Sequence, residues 1–316
     1  MTQRLAIGID VGGTKIAFAL AAETGEVVAR HQLPTLPDEG ADAVLDRIAA
    51  GIHRLLDEAS ALVVGIGIGC PGQIDPAGGM VYYAVNLRWR NVDLRGGVER
   101  RLRQPLPVWI QKDANAGVLV EVIYGAARGS RDVVYVAVGT GLGGGAVIDG
   151  RVITGVTFNP TEIGHLSLNP DGRLCNCGLH GCAEIYVSGM GFLAGVREHR
   201  GAFPDSPLAR LDAPTTAEIL QAAHAGDALA LTVVREGGQA LGAVIAACAG
   251  ILNPALIVVG GGLGHAAASF LLPEAERELR RRTLPATYEG VPVVLSQVTD
   301  SALGAAALVW HFIPTP

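Results

Sequence analysis

The sequence predicts an α/β protein divided into two domains, and three observations lead there. Its 316 residues exceed the size at which one hydrophobic core stops growing. Apolar β runs alternate with segments whose apolar residues recur at helical spacing. Glycine-rich turns follow three of the β runs at their carboxyl ends, a placement suited to a phosphate-rich ligand held between two domains.

In chain order, LAIGIDV, KIAFALA and EVVARHQL read as strands joined by tight turns. ADAVLDRIAAGIHRLLDEA repeats apolar residues at helical spacing, and LVVGIGIG returns to a β run, so the first sheet is mixed. After PLPVWIQK, the segment DANAGVLVEVIYGAA reads as a helix with Asp113 as its N-cap. VVYVAVGTGLGGGAVIDGRV then repeats the strand, glycine turn, strand grammar of the N-terminus, which points to two similarly built halves. From residue 215 helices dominate: TTAEILQAAHAG, an Ala-rich stretch through residue 250, and ASFLLPEAERELRRRT. LIVVGGG and VPVVLS are β runs, SALGAAALVWHF is a closing helix, and PDSPLARLDAPTT is a surface loop. No low-complexity linker separates the halves, so the domain boundary is tight.

Composition narrows the function. With 49% hydrophobic and 17% charged residues and a formal net charge of -6, the chain has no basic stripe to neutralise phosphates, which argues against a nucleic-acid partner. The N-terminal apolar run is too short for a signal sequence and is interrupted by Asp10. No segment is expected to be long and apolar enough to span a bilayer. The expected location is the cytoplasm, where thiols stay reduced and a cysteine cluster suggests a metal before a disulfide.

Asp10 ends a strand and is followed by Gly12, Gly13, Thr14 and Lys15. Glycines there let backbone N–H groups approach an anion. Lys15 leads into a second strand and not a helix, so this is no P-loop. Gly139 to Gly145 makes a second such turn, and Gly260 to Gly262 a third that opens a helix without the dinucleotide fingerprint.

Between residues 174 and 182 the chain reads LCNCGLHGC, three of its five cysteines in one turn. With a nearby histidine, Cys175, Cys177 and Cys182 supply one imidazole and three sulfurs, a set suited to a closed tetrahedral zinc site. His165 and His180 are both candidates for the imidazole on chemistry alone. Gly178 and Gly181 allow the loop to fold tightly, whereas a disulfide within C-x-C would be strained and leave a third thiol over. Four protein ligands leave no open position, so the metal is structural and holds Glu162 and Glu184 at a common rim as hydroxyl-binding groups.

DVGGTK (10–15), GCPGQID (69–75), DAN (113–115), GTGLGGG (139–145), EIGH (162–165) and CNCGLHGCAE (175–184) together resemble the ROK family, which contains sugar kinases and sugar-responsive repressors. The resemblance runs from residue 5 to the closing helix. It implies a two-domain, actin-like (ribonuclease H-like) α/β sugar kinase fold closing an interdomain cleft on ATP and a sugar. The division expected is residues 1–112 plus 301–316 as a smaller domain and 113–300 as a larger one carrying the zinc loop. By the resemblance Asp10, Gly12, Gly13, Thr14 and Lys15 face Mg²⁺ and the phosphates, Thr140 and Gly141 hold phosphates, and Gly261 and Gly262 lie near adenosine. Asp113 matches the catalytic base. Gly72, Asn86, Lys112, Glu162, His165 and Glu184 fall at sugar-binding positions, and His165 becomes the preferred metal ligand, with its other nitrogen toward the sugar. A homodimer is implied as well.

Two departures stand beside the expected sugar. The residue before Asp113 is Lys112 where the family usually has Asn, and an ammonium there would lower the pKa of Asp113 while keeping it ionised. Phe158, Asn159, Pro160 and Thr161 precede EIGH without the expected pair of small residues. The leading expectation is ATP-dependent phosphorylation of a sugar primary hydroxyl, the 6-OH of a hexose or N-acetylhexosamine. The alternative is a non-catalytic, sugar-sensing regulator of the same family that lacks a DNA-binding domain, since the first glycine turn begins within ten residues of Met1. A zinc-ribbon module would show paired C-x-x-C knuckles, and an NAD enzyme the missing fingerprint.

Overall fold

The computed structural model describes residues 3–313; the outermost ends of the expected smaller domain, residues 1–2 and 314–316, lie outside the described residues. The chain forms two compact units. Unit 1 takes the chain through Ser130, Gly145–Pro160 and the segment from Gln297 onward, and unit 2 takes Arg131–Gly144 and Thr161–Ser296.

Unit 1 opens with β1 (Arg4–Val11), β2 (Lys15–Ala22), β3 (Val27–Pro34), α1 (Ala41–Glu58) and β4 (Leu62–Cys70). It continues with β5 (Gln73–Asp75), β6 (Met80–Ala84), β7 (Trp89–Asp93), α2 (Leu94–Glu99), β8 (Val108–Lys112) and α3 (Asp113–Ile123). In unit 2 the chain forms β9 (Val133–Val138) and starts β10 (Leu142–Ile148), whose end beyond Gly144 returns to unit 1 and pairs with β11 (Arg151–Val152). Unit 2 then supplies α4 (Gly189–His199), α5 (Thr216–His224), α6 (Ala228–Leu252), β12 (Leu256–Gly260), α7 (Gly262–Ala266), α8 (Ala268–Arg282), α9 (Pro285–Gly290) and β13 (Val293–Leu295). The closing α10 (Ser301–Phe312) belongs to unit 1.

The main sheet of unit 1 has the order β3-β2-β1-β4-β8, with β1 antiparallel to β2 and parallel to β4, and β4 parallel to β8. Near-continuous apolar sequence makes β1 and β4 central strands buried on both faces, whereas β3 alternates half-buried and exposed residues, as an edge strand does. The two faces are covered by different helices, and the register shows how. Gly8 pairs with Ala19, and Phe18 pairs with Ile9, so Gly8 and Phe18 point to opposite faces. A side chain at Gly8 or Gly67 would collide with the carbonyl of Ala302 or Ala305, so the Ala-rich α10 lies directly on sheet backbone. On the other face the Phe18 ring fills the space left by Gly51 of α1.

The sheet containing β9 has the order β11-β10-β9-β12-β13. Read in order of chain appearance, both sheets run 3-2-1-4-5, and in both the first strand is parallel to the fourth. The repeated strand and glycine-turn grammar thus reflects a repeated topology.

The structure differs from the sequence expectations in three respects. The boundary expected after residue 112 falls inside unit 1, because α3 packs on α10, where Gly304 sits against the Ala116 carbonyl with room for no more than a tight Cβ, 3.3 Å away. A three-stranded sheet, β5-β6-β7, was not foreseen, its strands being too short to show a period. And α6 is, by length and composition, long and apolar enough to cross a membrane, contrary to expectation. With 67% of its apolar window buried, it is a core helix of unit 2. Its Gly242 admits α8 so closely that a Cβ there would lie 2.7 Å from the Ala275 carbonyl.

Candidate functional site

In unit 1 the chemistry-bearing residues collect at the carboxyl ends of parallel strands. Register pairs Asp10 of β1 with Gly69 of β4, and Gly69 with Gln111 of β8. Asp10 and the start of α3 are therefore two strand spacings apart, roughly 10 Å. The buried Cys70 lies between them; burial first, then the charges of Asp113 and Asp10, push its thiol well above the ordinary value, so it stays protonated and unreactive.

The turn after Asp10 is held rigidly. Gly12 N–H donates to the Lys15 carbonyl at 2.9 Å, and the fully buried Thr35 donates its hydroxyl to the Gly12 carbonyl at 2.6 Å. Thr35 N–H also reaches the Thr14 carbonyl at 3.0 Å. Gly13 packs against the exposed Asn86, which sits in the 3-10 turn after β6. Burial raises the Asp10 carboxyl above its usual value, and the Ser301 hydroxyl and the Lys15 charge only partly offset this. Gly72 has φ +105°, and any side chain there would collide with the Tyr83 carbonyl, so this turn needs glycine to pack on β6.

Asp113 is exposed and is the first residue of α3; the N-cap is Lys112, which corrects the capping role read from sequence. The carboxylate instead accepts the N–H of Ala114 at 2.7 Å through Oδ1. Beneath it lies a buried amide pair that sequence reasoning passed over: Gln111 Oε1 accepts both Lys112 N–H (3.1 Å) and Asn115 Nδ2 (3.0 Å). The Lys112 side chain, only 9% exposed, donates its ammonium to the Pro160 carbonyl at 3.3 Å. Gln73 donates to the Thr157 carbonyl at 2.6 Å and the Tyr82 ring stacks on Phe158, so the segment ending at Pro160 is strapped to the small sheet.

In unit 2, Thr140 and Gly141 form the turn between β9 and β10, closed by Gly139 N–H to the Gly141 carbonyl at 2.9 Å. At the end of β12, Gly261 has φ +85° and no room for a side chain against the Val138 carbonyl, whereas Gly262 faces open space. His265 sits at this corner with its two ring nitrogens each 3.0 Å from a carbonyl, those of Gly261 and Ser296, and its single N–H donates to one of them.

The cysteine loop is a knot of backbone bonds. Cys175 N–H donates to Leu179 O (2.8 Å), Gly181 N–H to Arg173 O (2.8 Å) and Ala183 N–H to Leu166 O (2.9 Å). Gly178 and Gly181 have φ +88° and +69°, which close the turns as anticipated. One ligand atom from each of His165, Cys175, Cys177 and Cys182 lies within 4.8 Å of all the others. Cys177 and Cys182 sulfurs are 3.6 Å apart, against about 3.8 Å across a tetrahedron of ordinary Zn–S bonds. His165 Nδ1 is buried without a hydrogen-bond partner, while Nε2 lies 3.9 Å from Glu162 Oε2. His180 Nδ1 instead bonds the Gly172 carbonyl. Geometry thus separates the two histidines that chemistry left close. Burial, then the neighbouring thiols, push Cys182 up to about 12, so the sulfurs need a cation to ionise together. The donor set fits one structural zinc ion.

Two anchors of this loop were not foreseen. Arg173 stacks on the Tyr186 ring, pairs with Glu198, and donates to Glu236 (2.6 Å) and the Ile185 carbonyl (3.3 Å), fastening the loop to α4 and α6. Glu184 accepts Leu142 N–H at 2.9 Å through Oε2, and its Oε1 lies 3.9 Å from Cys175 Sγ. With Cys175 bound to a metal as a thiolate, its proton released to solvent, Oε1 would keep an acceptor site for a hydroxyl.

Comparison with known proteins agrees with this layout. The ROK family model matches residues 6–311. A glucokinase of Halalkalibacterium halodurans is 34% identical over 310 residues, covering 96% of this chain and 93% of its own. A xylose repressor of Caldicellulosiruptor bescii is 31% identical, covering 96% of this chain and 77% of its own. A crystal structure of a ROK family glucokinase from Streptomyces griseus, in complex with glucose and AMPPNP, superimposes with a TM-score of 0.81 at 32% identity, covering 96% and 98% of the two chains. The glycine turns, the cysteine loop and the actin-like pair of α/β units have one common explanation: this chain belongs to the ROK family.

Proposed function

We propose that the chain is an ATP-dependent sugar kinase that phosphorylates a primary hydroxyl, the 6-OH of a hexose or N-acetylhexosamine, with Asp113 as general base. The observation that carries this reading is Asp113 itself, an exposed carboxylate at the head of α3, two strands away from Asp10 and its glycine turn. In the reaction the sugar oxygen attacks the γ-phosphorus, the bond to the β-γ bridging oxygen breaks, ADP leaves, and the hydroxyl proton passes to Asp113. The glycine turns at Gly12 to Lys15 and at Thr140 and Gly141 offer backbone N–H groups to the phosphates, with Gly261 and Gly262 beside the adenosine. Mg²⁺ bound with ATP would neutralise phosphate charge, and Asp10 is the residue proposed to hold it.

Glu162, His165, Glu184, Asn86 and Lys112 are proposed to read the sugar, and the zinc set braces the loop that carries three of them. Lys112 and the Phe158 platform favour an amino, N-acetylated or otherwise modified sugar over plain glucose. The reading places the protein in the cytoplasm as a homodimer.

A coupled ADP-release screen over hexoses, hexosamines and N-acetylhexosamines, with ATP and with polyphosphate, tests it. Asp113→Asn should lower kcat by about 10² to 10⁴ on the preferred sugar, the usual worth of a general base. If no sugar gives turnover above that variant, the kinase reading falls. The repressor relative favours a second reading, a sugar sensor without catalysis. It predicts sugar binding by calorimetry with no ADP released.

A further inference from the structure

We infer that Glu184 is a positioning residue for the Thr140–Leu142 glycine turn, so that sugar and nucleotide affinity are coupled through one carboxylate. The inference rests on the kinase reading above and deepens it.

The segment following the cysteine loop grips that turn at three points. Glu184 Oε2 accepts the N–H of Leu142 at 2.9 Å, Gly189 N–H donates to the Gly139 carbonyl at 2.9 Å, and Met190 N–H reaches the Thr140 carbonyl at 3.4 Å. Gly141 lies against the same contact, since a Cβ there would run into Glu184 Oε2 and push the carboxylate aside. The carboxylate is itself anchored from behind. Ser188 donates its hydroxyl to the Glu184 carbonyl at 2.7 Å while capping α4 through Gly191 N–H at 3.1 Å, and Arg173 holds the next carbonyl, that of Ile185.

A carboxylate accepting a backbone N–H makes a charge-assisted bond, among the stronger ones available to a loop. Without it the turn loses the contact that fixes the N–H of Leu142 and must be ordered by the nucleotide at the moment of binding. Glu184 is also proposed to take a sugar hydroxyl. A ligand that adjusts this carboxylate adjusts the turn, and by linkage the nucleotide must adjust sugar affinity equally.

Calorimetric titration of the zinc-loaded protein with Mg–AMPPNP in the absence of sugar separates this from a role in sugar binding alone. Glu184→Ala should weaken nucleotide binding about tenfold, ~1.4 kcal/mol. Glu184→Gln should stay within about twofold of wild type, because its amide oxygen still accepts the Leu142 N–H. Gly141→Ala supplies the reciprocal test from the side of the turn: its methyl group displaces Glu184 Oε2, so it should weaken sugar binding with no nucleotide present. Unchanged nucleotide affinity in Glu184→Ala, equal losses in Ala and Gln variants, or unchanged sugar affinity in Gly141→Ala would overturn the coupling. A wild-type chain that bound no Mg–AMPPNP would remove the kinase reading itself, a distinct outcome.

Discussion

Replacing Cys182 by Ser tests the metal loop. Cys182 is fully buried and its sulfur is 3.6 Å from that of Cys177, inside a set of four donors. Serine is a poor zinc ligand, so the variant should lose its ion. The His165 Nδ1, already buried without a protein partner, then has none at all, at a cost of about 1–3 kcal/mol. For a unit of this size each kcal/mol lowers the melting temperature by about 2–4 °C, so a fall of about 2–12 °C is expected. Metal analysis by mass spectrometry should find about one zinc per wild-type chain, as for a closed four-ligand site, and almost none in Cys182→Ser. Calorimetry with and without added zinc should show stabilisation of wild type only, since a ligand that binds the native state alone raises its stability. Sugar KM should rise in the variant, because Glu162, His165 and Glu184 ride on the loop. Cys248→Ser, which changes a buried thiol in α6, should leave zinc content, the response to added zinc and sugar KM unchanged. If gently purified wild type holds no zinc and does not respond to it, the account of the loop is wrong.

Two further outcomes concern stability. Gly67→Ala puts a methyl group into the Ala305 carbonyl and must lift α10 from β4, so unfolding should be easier by about 1–3 kcal/mol or more; an unchanged chemical denaturation midpoint would contradict the packing described. Glu278 is buried on α8, and although burial alone raises its carboxyl, the hydrogen bond from Arg282 and the charges of Arg281 and Arg282 outweigh this and hold it below the usual value. A depressed carboxyl contributes stability above its unfolded pKa of 4.5 and loses it as pH falls through the lower folded value. Glu278→Gln should therefore be less stable than wild type at pH 7 by about 1 kcal/mol, with the gap closing below the usual carboxylate range in denaturation at matched ionic strength.

Much of the fold was legible because it is encoded locally. The apolar runs LAIGIDV and LVVGIGIG, the helical spacing of residues 41–59 and the glycine punctuation are each contained in one short stretch. The donor set of the metal loop was legible for the same reason: three of its four residues lie within eight positions. The fourth was not settled by spacing, since His180 lies inside the loop and His165 ten positions before its first cysteine, both able to supply an imidazole, and only the fold brings His165 to the sulfurs and ties His180 to Gly172.

Sequence alone determined the types of the longer elements, the repeated half-pattern, the donor chemistry of the cysteine loop and Asp113 as the carboxylate heading a helix. Tertiary structure decided where the units divide, that the apolar α6 is a core helix, and that Glu184 meets a backbone N–H from 42 positions earlier. The physical reason is one of range. Periodicity and turn chemistry act over a few residues and leave a mark in the string, whereas a hydrogen bond across a folded chain depends on packing that no local pattern records.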